Sequence, residues 1–94
     1  INPSIMIDCS HGNSYKDPEC QPLVLQDVAQ QITLGNRHIH AVMLESNLKG
    51  GNQKVPANVI DLDYGVSITD ACLEWEATKK TLQNTHAALA CRFS

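Results

Sequence analysis

Three side chains in this chain combine ligand chemistry with positions at the ends of apolar runs. His11 lies in "DCSHGNS", directly after the apolar "SIMI"; Glu45 stands near the end of "HIHAVMLES"; Asp70 belongs to "SITDAC". An imidazole with two carboxylates suits a borderline divalent ion such as Mn²⁺, Fe²⁺, Co²⁺ or Zn²⁺. No short metal motif joins the three, whose separations are 34 and 25 residues. Each also has a plain structural reading. A histidine after a strand serves as a loop or capping residue, and a glutamate ending a strand is commonly just solvated. Asp70 fits the acidic place of a capping box, Ser67-Ile68-Thr69-Asp70.

The elements that must position these groups follow from periodicity. Ser4–Asp8 is short, apolar and rich in isoleucine, and reads as a buried strand. Gly12 to Pro22 has the composition of a loop. From Leu23 to about Leu34, the positions Leu25, Val28, Ala29 and Ile32 follow helical spacing, and Gly35-Asn36 supplies the stop. His38 to Ser46 reads as a second strand. A polar loop from Asn47 to about Ser67 is long for a compact domain, and such loops are usually functional or disordered. The capping box is then expected to open a final helix whose core stripe is Cys72, Trp75, Leu82 and Leu89, with Glu74, Lys79 and Lys80 facing solvent.

Strand, loop, helix therefore occurs twice. Both strands are continuously apolar, as in parallel sheets covered on both faces. Successive βα units in a right-handed crossover build doubly wound sheets and (β/α)8 barrels, where functional groups gather at the carboxyl ends of strands. That rule puts His11 and Glu45 on one edge. Asp70, expected in the first turn of the helix after the second strand, starts on the same edge. Two strands cannot bury both of their faces alone, so the sheet is expected to be incomplete. The abrupt beginning "INPSIMID", without methionine, reads as the middle of something longer.

Other features set bounds. Ninety-four residues make at most one domain, and a chain of this size buries roughly 60–65% of its unfolded surface. A net charge of −3 without a Lys/Arg cluster argues against nucleic acid or an anionic membrane as partner. No apolar run approaches the ~20 residues needed to span a bilayer, and no cleavable signal pattern stands at the N-terminus. Cys9, Cys20, Cys72 and Cys91 contain no C-x-x-C spacing and are expected as reduced thiols of a cytoplasmic protein. His38 and His40 share the starting end of the second strand, the wrong end for a site, and are taken as structural. His86 falls mid-helix. Cys9 reads as a packed thiol and Cys72 as core. Gly50-Gly51 is a turn without a phosphate-loop pattern.

Taken together, "IMIDCSHGNS", "AVMLESNLKGGNQ" and "YGVSITDACLEWE" resemble the closing segments of the class I 3-deoxy-D-arabino-heptulosonate 7-phosphate (DAHP) synthases. The resemblance covers nearly all 94 residues, in the same order and at similar separations. It implies a homo-oligomeric (β/α)8 TIM barrel of the shikimate pathway that condenses phosphoenolpyruvate with erythrose 4-phosphate and releases phosphate. Residues 1–94 would be its C-terminal part: the last two βα units, strands seven and eight with their helices, incomplete in this chain. The matching positions make His11, Glu45 and Asp70 metal ligands, with His11 and Asp70 also catalytic. The family's fourth ligand, an early-barrel cysteine, has no counterpart here. The ion would polarise the aldehyde as a Lewis acid, and because His11 must bind unprotonated, affinity should fall below about pH 6.5.

The departures from the family pattern also carry expectations. The phosphate-binding Arg and Lys residues of the first six strands have no counterparts here, so the isolated chain is expected to be inactive. Gly12 stands where the family usually has alanine, which should loosen the turn. The loop from Lys54 to Asp63 diverges and carries one extra residue. The alternative is a non-catalytic remnant or excised fragment that self-associates over its open sheet edges and binds metal weakly.

Overall fold

Ile5–Asp8 forms strand β1 and Ile39–Met43 forms β2. A computed structural model describes residues 4–93, with side chains through Ala90; the rest of "INPSIMID" and the Cys91 thiol lie outside the described residues. β1 and β2 pair in parallel, Ile5 opposite Ile39 and Asp8 opposite Met43, with an irregularity between Ile5 and Met6. A parallel pair needs a crossover, and α1 (Gln21–Thr33) provides it. Leu25, Val28 and Ala29 are buried and Ile32 is half-buried, the stripe that the spacing predicts. The helix starts two residues before the expected Leu23. A 3-10 turn, Pro18–Cys20, runs straight into it, capped by an Asp17 carboxylate that accepts from Glu19 N–H at 3.0 Å. Gly35 follows the helix at φ +113°, a conformation open to glycine.

The second half corrects three expectations. The second strand does not run on to Ser46: β2 stops at Met43, and Ser46–Asn47 leaves as β3 to pair in parallel with β4, Leu73–Glu74. The capping box opens no helix. The Ser67 hydroxyl accepts from Thr69 N–H at 3.1 Å in a local turn, and α2 begins only at Trp75 and runs to Phe93. The reason is competition for the backbone of residues 72–74. Cys72 exchanges two bonds with Gly51 (3.0 and 2.8 Å), and Leu73 N–H donates to Glu45 O at 2.9 Å, so the chain there is committed to sheet pairing.

The expected core stripe of the last helix also differs. Cys72 is buried but precedes α2, Leu89 is half-buried, and Trp75 and Leu82 are 48% and 46% exposed. The face turned inward carries Thr78 and Thr81 instead. Their hydroxyls donate back to Glu74 O and Ala77 O at 2.8 and 2.7 Å, which satisfies them inside a packed face. Ser46 and Thr78 hydroxyls share a bond of 2.6 Å that ties β3 to α2.

Little of this closes on itself. The radius of gyration is 15.7 Å, against about 12 Å for a closed domain of this length. Ile5 and Met6 on β1 and Ala41 on β2 are exposed, so strands with the composition of a doubly covered sheet are covered here only in part. Among the described residues, no helix is long and apolar enough to cross a membrane, and Cys9, Cys20 and Cys72 are free thiols.

Candidate metal centre

β1 ends at Asp8, and the next residues turn sharply. Ser10 N–H donates to Asp8 Oδ1 at 2.8 Å, and Asn13 Nδ2 donates to Asp8 O at 2.7 Å. His11 opens a 3-10 turn, His11–Ser14, with its own φ at +48°. Left-handed backbone at a non-glycine residue costs about 1–2 kcal/mol and is held only where the surroundings enforce it. Here Lys16 N–H donates to His11 O at 2.7 Å and closes the turn. Gly12, by contrast, has no positive φ, and a Cβ there would meet open space. The strain sits on His11 and, at the far end of the turn, on Tyr15 and Lys16 (φ +54° and +61°), and alanine would fit at 12.

The turn aims the imidazole across the end of the β1–β2 sheet. Nε2 stands 3.0 Å from Glu45 Oε1 and 3.0 Å from Asp70 Oδ2, while Nδ1 stands 2.9 Å from Asp8 Oδ2. Glu45 follows the end of β2, and its Oε1 accepts a hydrogen bond from Ser10 Oγ. Asp70 arrives on the segment leading to β4, with Asn52 Nδ2 fixing the neighbouring Thr69 O at 3.0 Å. All three expected residues therefore meet, although Asp70 is carried by sheet pairing rather than by a helix turn.

One imidazole faces three carboxylates. The Asp8 hydrogen bond first and the Asp70 hydrogen bond second hold the His11 pKa above its ordinary value, against a smaller opposing effect of burial. The His11 bond, then the Ser10 N–H, hold Asp8 below the usual carboxylate range. With both ring nitrogens against carboxylates, the ring serves as a double donor when protonated. When neutral, it keeps Nδ1–H on Asp8 and leaves the Nε2 lone pair facing Glu45 and Asp70.

That donor set fits a first-row divalent ion. One ligand atom from each of His11, Glu45 and Asp70 lies within 4.8 Å of the others. Ligands held at about 2.0–2.2 Å from such an ion stand about 3 Å apart, the spacing found from Nε2 to either carboxylate. The Asp8 carboxylate on Nδ1 completes the carboxylate–histidine relay that commonly orients metal-binding imidazoles. A cavity of about 200 Å³ adjoins the cluster, lined by Ser10, His11, Lys16, Glu45, Asn52, Asp70 and Ala71. A larger groove of about 700 Å³ between α1 and α2 has Asp27 as its one ionisable lining residue, so the chemistry belongs to the smaller space.

A model of the DAHP synthetase I family matches residues 1–83. The chain belongs to that family. A phospho-2-dehydro-3-deoxyheptonate aldolase of Alternaria alternata is 50% identical over 93 residues, covering 98% of this chain and 25% of that protein. The Tyr-sensitive phospho-2-dehydro-3-deoxyheptonate aldolase of Escherichia coli K12 is 48% identical over 89 residues, 95% of this chain and 25% of its own length. The solved structure of the Francisella tularensis SCHU S4 aldolase superposes with a TM-score of 0.85 at 45% identity, covering 95% of this chain and 25% of that one. This family member thus spans about a quarter of the length of these relatives.

Asp8, Ser10, Lys16, Gln21 and Asn52 carry no role in the sequence pattern, yet the structure places all five at or behind the site. Asp8 and Ser10 lie within "DCSHGNS", and an acid three residues before a strand-end histidine is a local signal. Gln21 had none. It is fully buried, and its side-chain amide bonds both backbone groups of Glu45. Of the two histidines expected to be structural, His38 and His40, the second ties local backbone: His40 Nε2–H donates to Arg37 O and Nδ1 accepts from Ser4 Oγ, each at 2.9 Å. Burial first, and the Asp8 charge second, push the Cys9 thiol up, in keeping with a packed side chain.

Proposed function

We propose that residues 1–94 are the C-terminal part of a DAHP synthase, strands seven and eight of a (β/α)8 barrel with their helices. In this reading His11, Glu45 and Asp70 supply three of four ligands to a divalent ion of the Mn²⁺, Fe²⁺, Co²⁺ or Zn²⁺ class. The observation that carries it is the meeting of His11 Nε2 with both carboxylates at 3.0 Å, on the edge where barrel enzymes place their chemistry. Parallel pairing of β1 with β2 through a helical crossover, and uncovered apolar strand faces, support the barrel assignment.

The reaction is the condensation of phosphoenolpyruvate with erythrose 4-phosphate and release of phosphate, early in aromatic amino-acid biosynthesis in the cytoplasm. When bound, the ion supplies Lewis acidity that polarises the aldehyde of the sugar phosphate. This chain's residues prepare that site. Asp8 holds the Nδ1 proton, Ser10 holds Glu45 Oε1, and the Glu45 and Asp70 carboxylates give the site its negative charge. Binding both phosphates calls for more cationic groups than Lys16, the one cation lining the cavity. Residues from the rest of a barrel are therefore required, and the isolated chain should be inactive.

The test is complementation. Purified alone with both substrates and Mn²⁺, the chain should release no phosphate. Combined with the first three-quarters of a family member, it should release phosphate, and His11→Ala should abolish that release. Robust turnover by the chain alone, or complementation indifferent to His11→Ala, would overturn the reading. A second reading rests on the exposure of Ile5, Met6, Trp75 and Leu82. It makes the chain a non-catalytic remnant or excised fragment that self-associates and binds metal weakly.

A further inference from the structure

We propose that Gln21 is a positioning residue for Glu45, fixing the origin of that carboxylate through a two-point clasp on its peptide groups. The proposal rests on the metal-centre reading above. Gln21 Nε2 donates to Glu45 O at 3.0 Å, and Gln21 Oε1 accepts from Glu45 N–H at 2.8 Å. The primary amide thus presents donor and acceptor side by side, as a neighbouring strand would. It does so between the two strand registers. The β1–β2 register ends at Asp8 opposite Met43, and the β3–β4 register begins at Ser46. Glu45 falls in that gap.

The location of Gln21 argues for this role over packing. It is the first residue of α1, with 0% exposure, and is the only fully buried amide side chain among the described residues. Burying an amide is costly unless every polar atom is bonded, and packing alone would be served by another apolar residue beside Leu25, Val28 and Ala29. Leu73 N–H adds a third bond to the Glu45 backbone, a second one on its carbonyl, at 2.9 Å. With the backbone of Glu45 tied from α1 and from β4, its side chain needs only its own torsions to reach Ser10 and His11. Removing such support behind a ligand commonly weakens metal binding 10–100-fold.

The experiment titrates Mn²⁺ into the purified protein, well below its unfolding temperature, with circular dichroism confirming the fold. Gln21→Met keeps the length and loses both bonds; it should weaken Mn²⁺ binding about 10–100-fold. In a Glu45→Ala background the same change should have no further effect, since there is no carboxylate left to position. A residue that merely holds the fold would instead give equal losses in both backgrounds, and that result overturns the proposal. Should Gln21→Met fail to fold, Gln21→Glu keeps the acceptor for Glu45 N–H but loses the donor. It should weaken Mn²⁺ binding and shift the visible spectrum of bound Co²⁺, and an unchanged affinity and spectrum would refute the clasp. His11→Ala separates the two readings. If it leaves Mn²⁺ affinity unchanged, the metal centre falls and the clasp with it; if it weakens binding while Gln21→Met does not, the clasp alone falls.

Discussion

The Asp8 carboxylate accepts a hydrogen bond from His11 Nδ1 at 2.9 Å, three residues along the chain and across the strained left-handed turn that His11 itself makes. The bond decides which nitrogen is committed and which is left for the site. Asp8→Asn preserves shape but removes the charge that holds Nδ1–H, so Mn²⁺ affinity should fall about tenfold or more with the fold intact. Calorimetric titration of the two proteins checks this. Equal affinities would mean that Asp8 does not act through His11.

The same pair sets opposite pH trends for the metal-free and metal-bound protein. The raised His11 pKa contributes stability fully present below the ordinary imidazole value of about 6.5 and lost as pH rises through the folded value. The lowered Asp8 pKa contributes stability present above the ordinary carboxyl value of about 3.9 and lost as pH falls through the folded one. Without metal, these two groups should therefore stabilise the fold most between about pH 4 and 6.5. Mn²⁺ must displace the Nε2 proton, so its affinity should climb with pH and level off only above about 6.5. Titrations between about pH 5.5 and 8.5 read this directly. A plateau already complete at about pH 6 would count against His11 as ligand.

Gly65 has φ +78°, and a Cβ there would stand 2.8 Å from Leu48 Cβ. Its carbonyl also accepts from Lys49 N–H at 2.8 Å, so the backbone cannot shift freely. Gly65→Ala should cost about 1–3 kcal/mol, from left-handed strain and the clash together. Urea denaturation of the two proteins measures it, and a neutral change would show that the segment relaxes independently of Leu48.

The uncovered apolar surface should make the isolated chain associate. Met6 is 62% exposed on β1, and Trp75 and Leu82 add to the exposed apolar area on α2. Light scattering across a dilution series should give masses above the monomer that fall with concentration. A monomer at every concentration would show that two βα units suffice as a module.

The parts of the fold legible in the sequence are those in which local pattern and tertiary packing agree. The stripe Leu25, Val28, Ala29 and Ile32 gave α1, and the apolar runs gave the parallel strands. The strand-end rule by itself puts His11 and Glu45 on one edge. It failed in detail for Asp70, because "SITD" has capping chemistry while the residues just after it are taken up by pairing with Glu45 and Gly51. Trp75 and Leu82 have the composition of a core and lie exposed, because the face that α2 turns inward carries Thr78 and Thr81. Gln21 was illegible for another reason. Its role depends on a gap between two sheets that no local window contains.

The tiny β3–β4 sheet has a consequence for the long loop it closes. Gly51 and Cys72, and Asn52 and Ser67, bridge across its base, and Gln53 bonds Asp63 and Val66 just beyond. Everything from Lys54 to Leu62 hangs outside this sealed neck. The neck, with no contribution from the tip, holds Asp70 on the side of the site that faces His11 and Glu45, so the tip is free to drift in length and composition without disturbing the site. It is the natural port for splicing in a foreign peptide, between Ala57 and Asn58, both exposed.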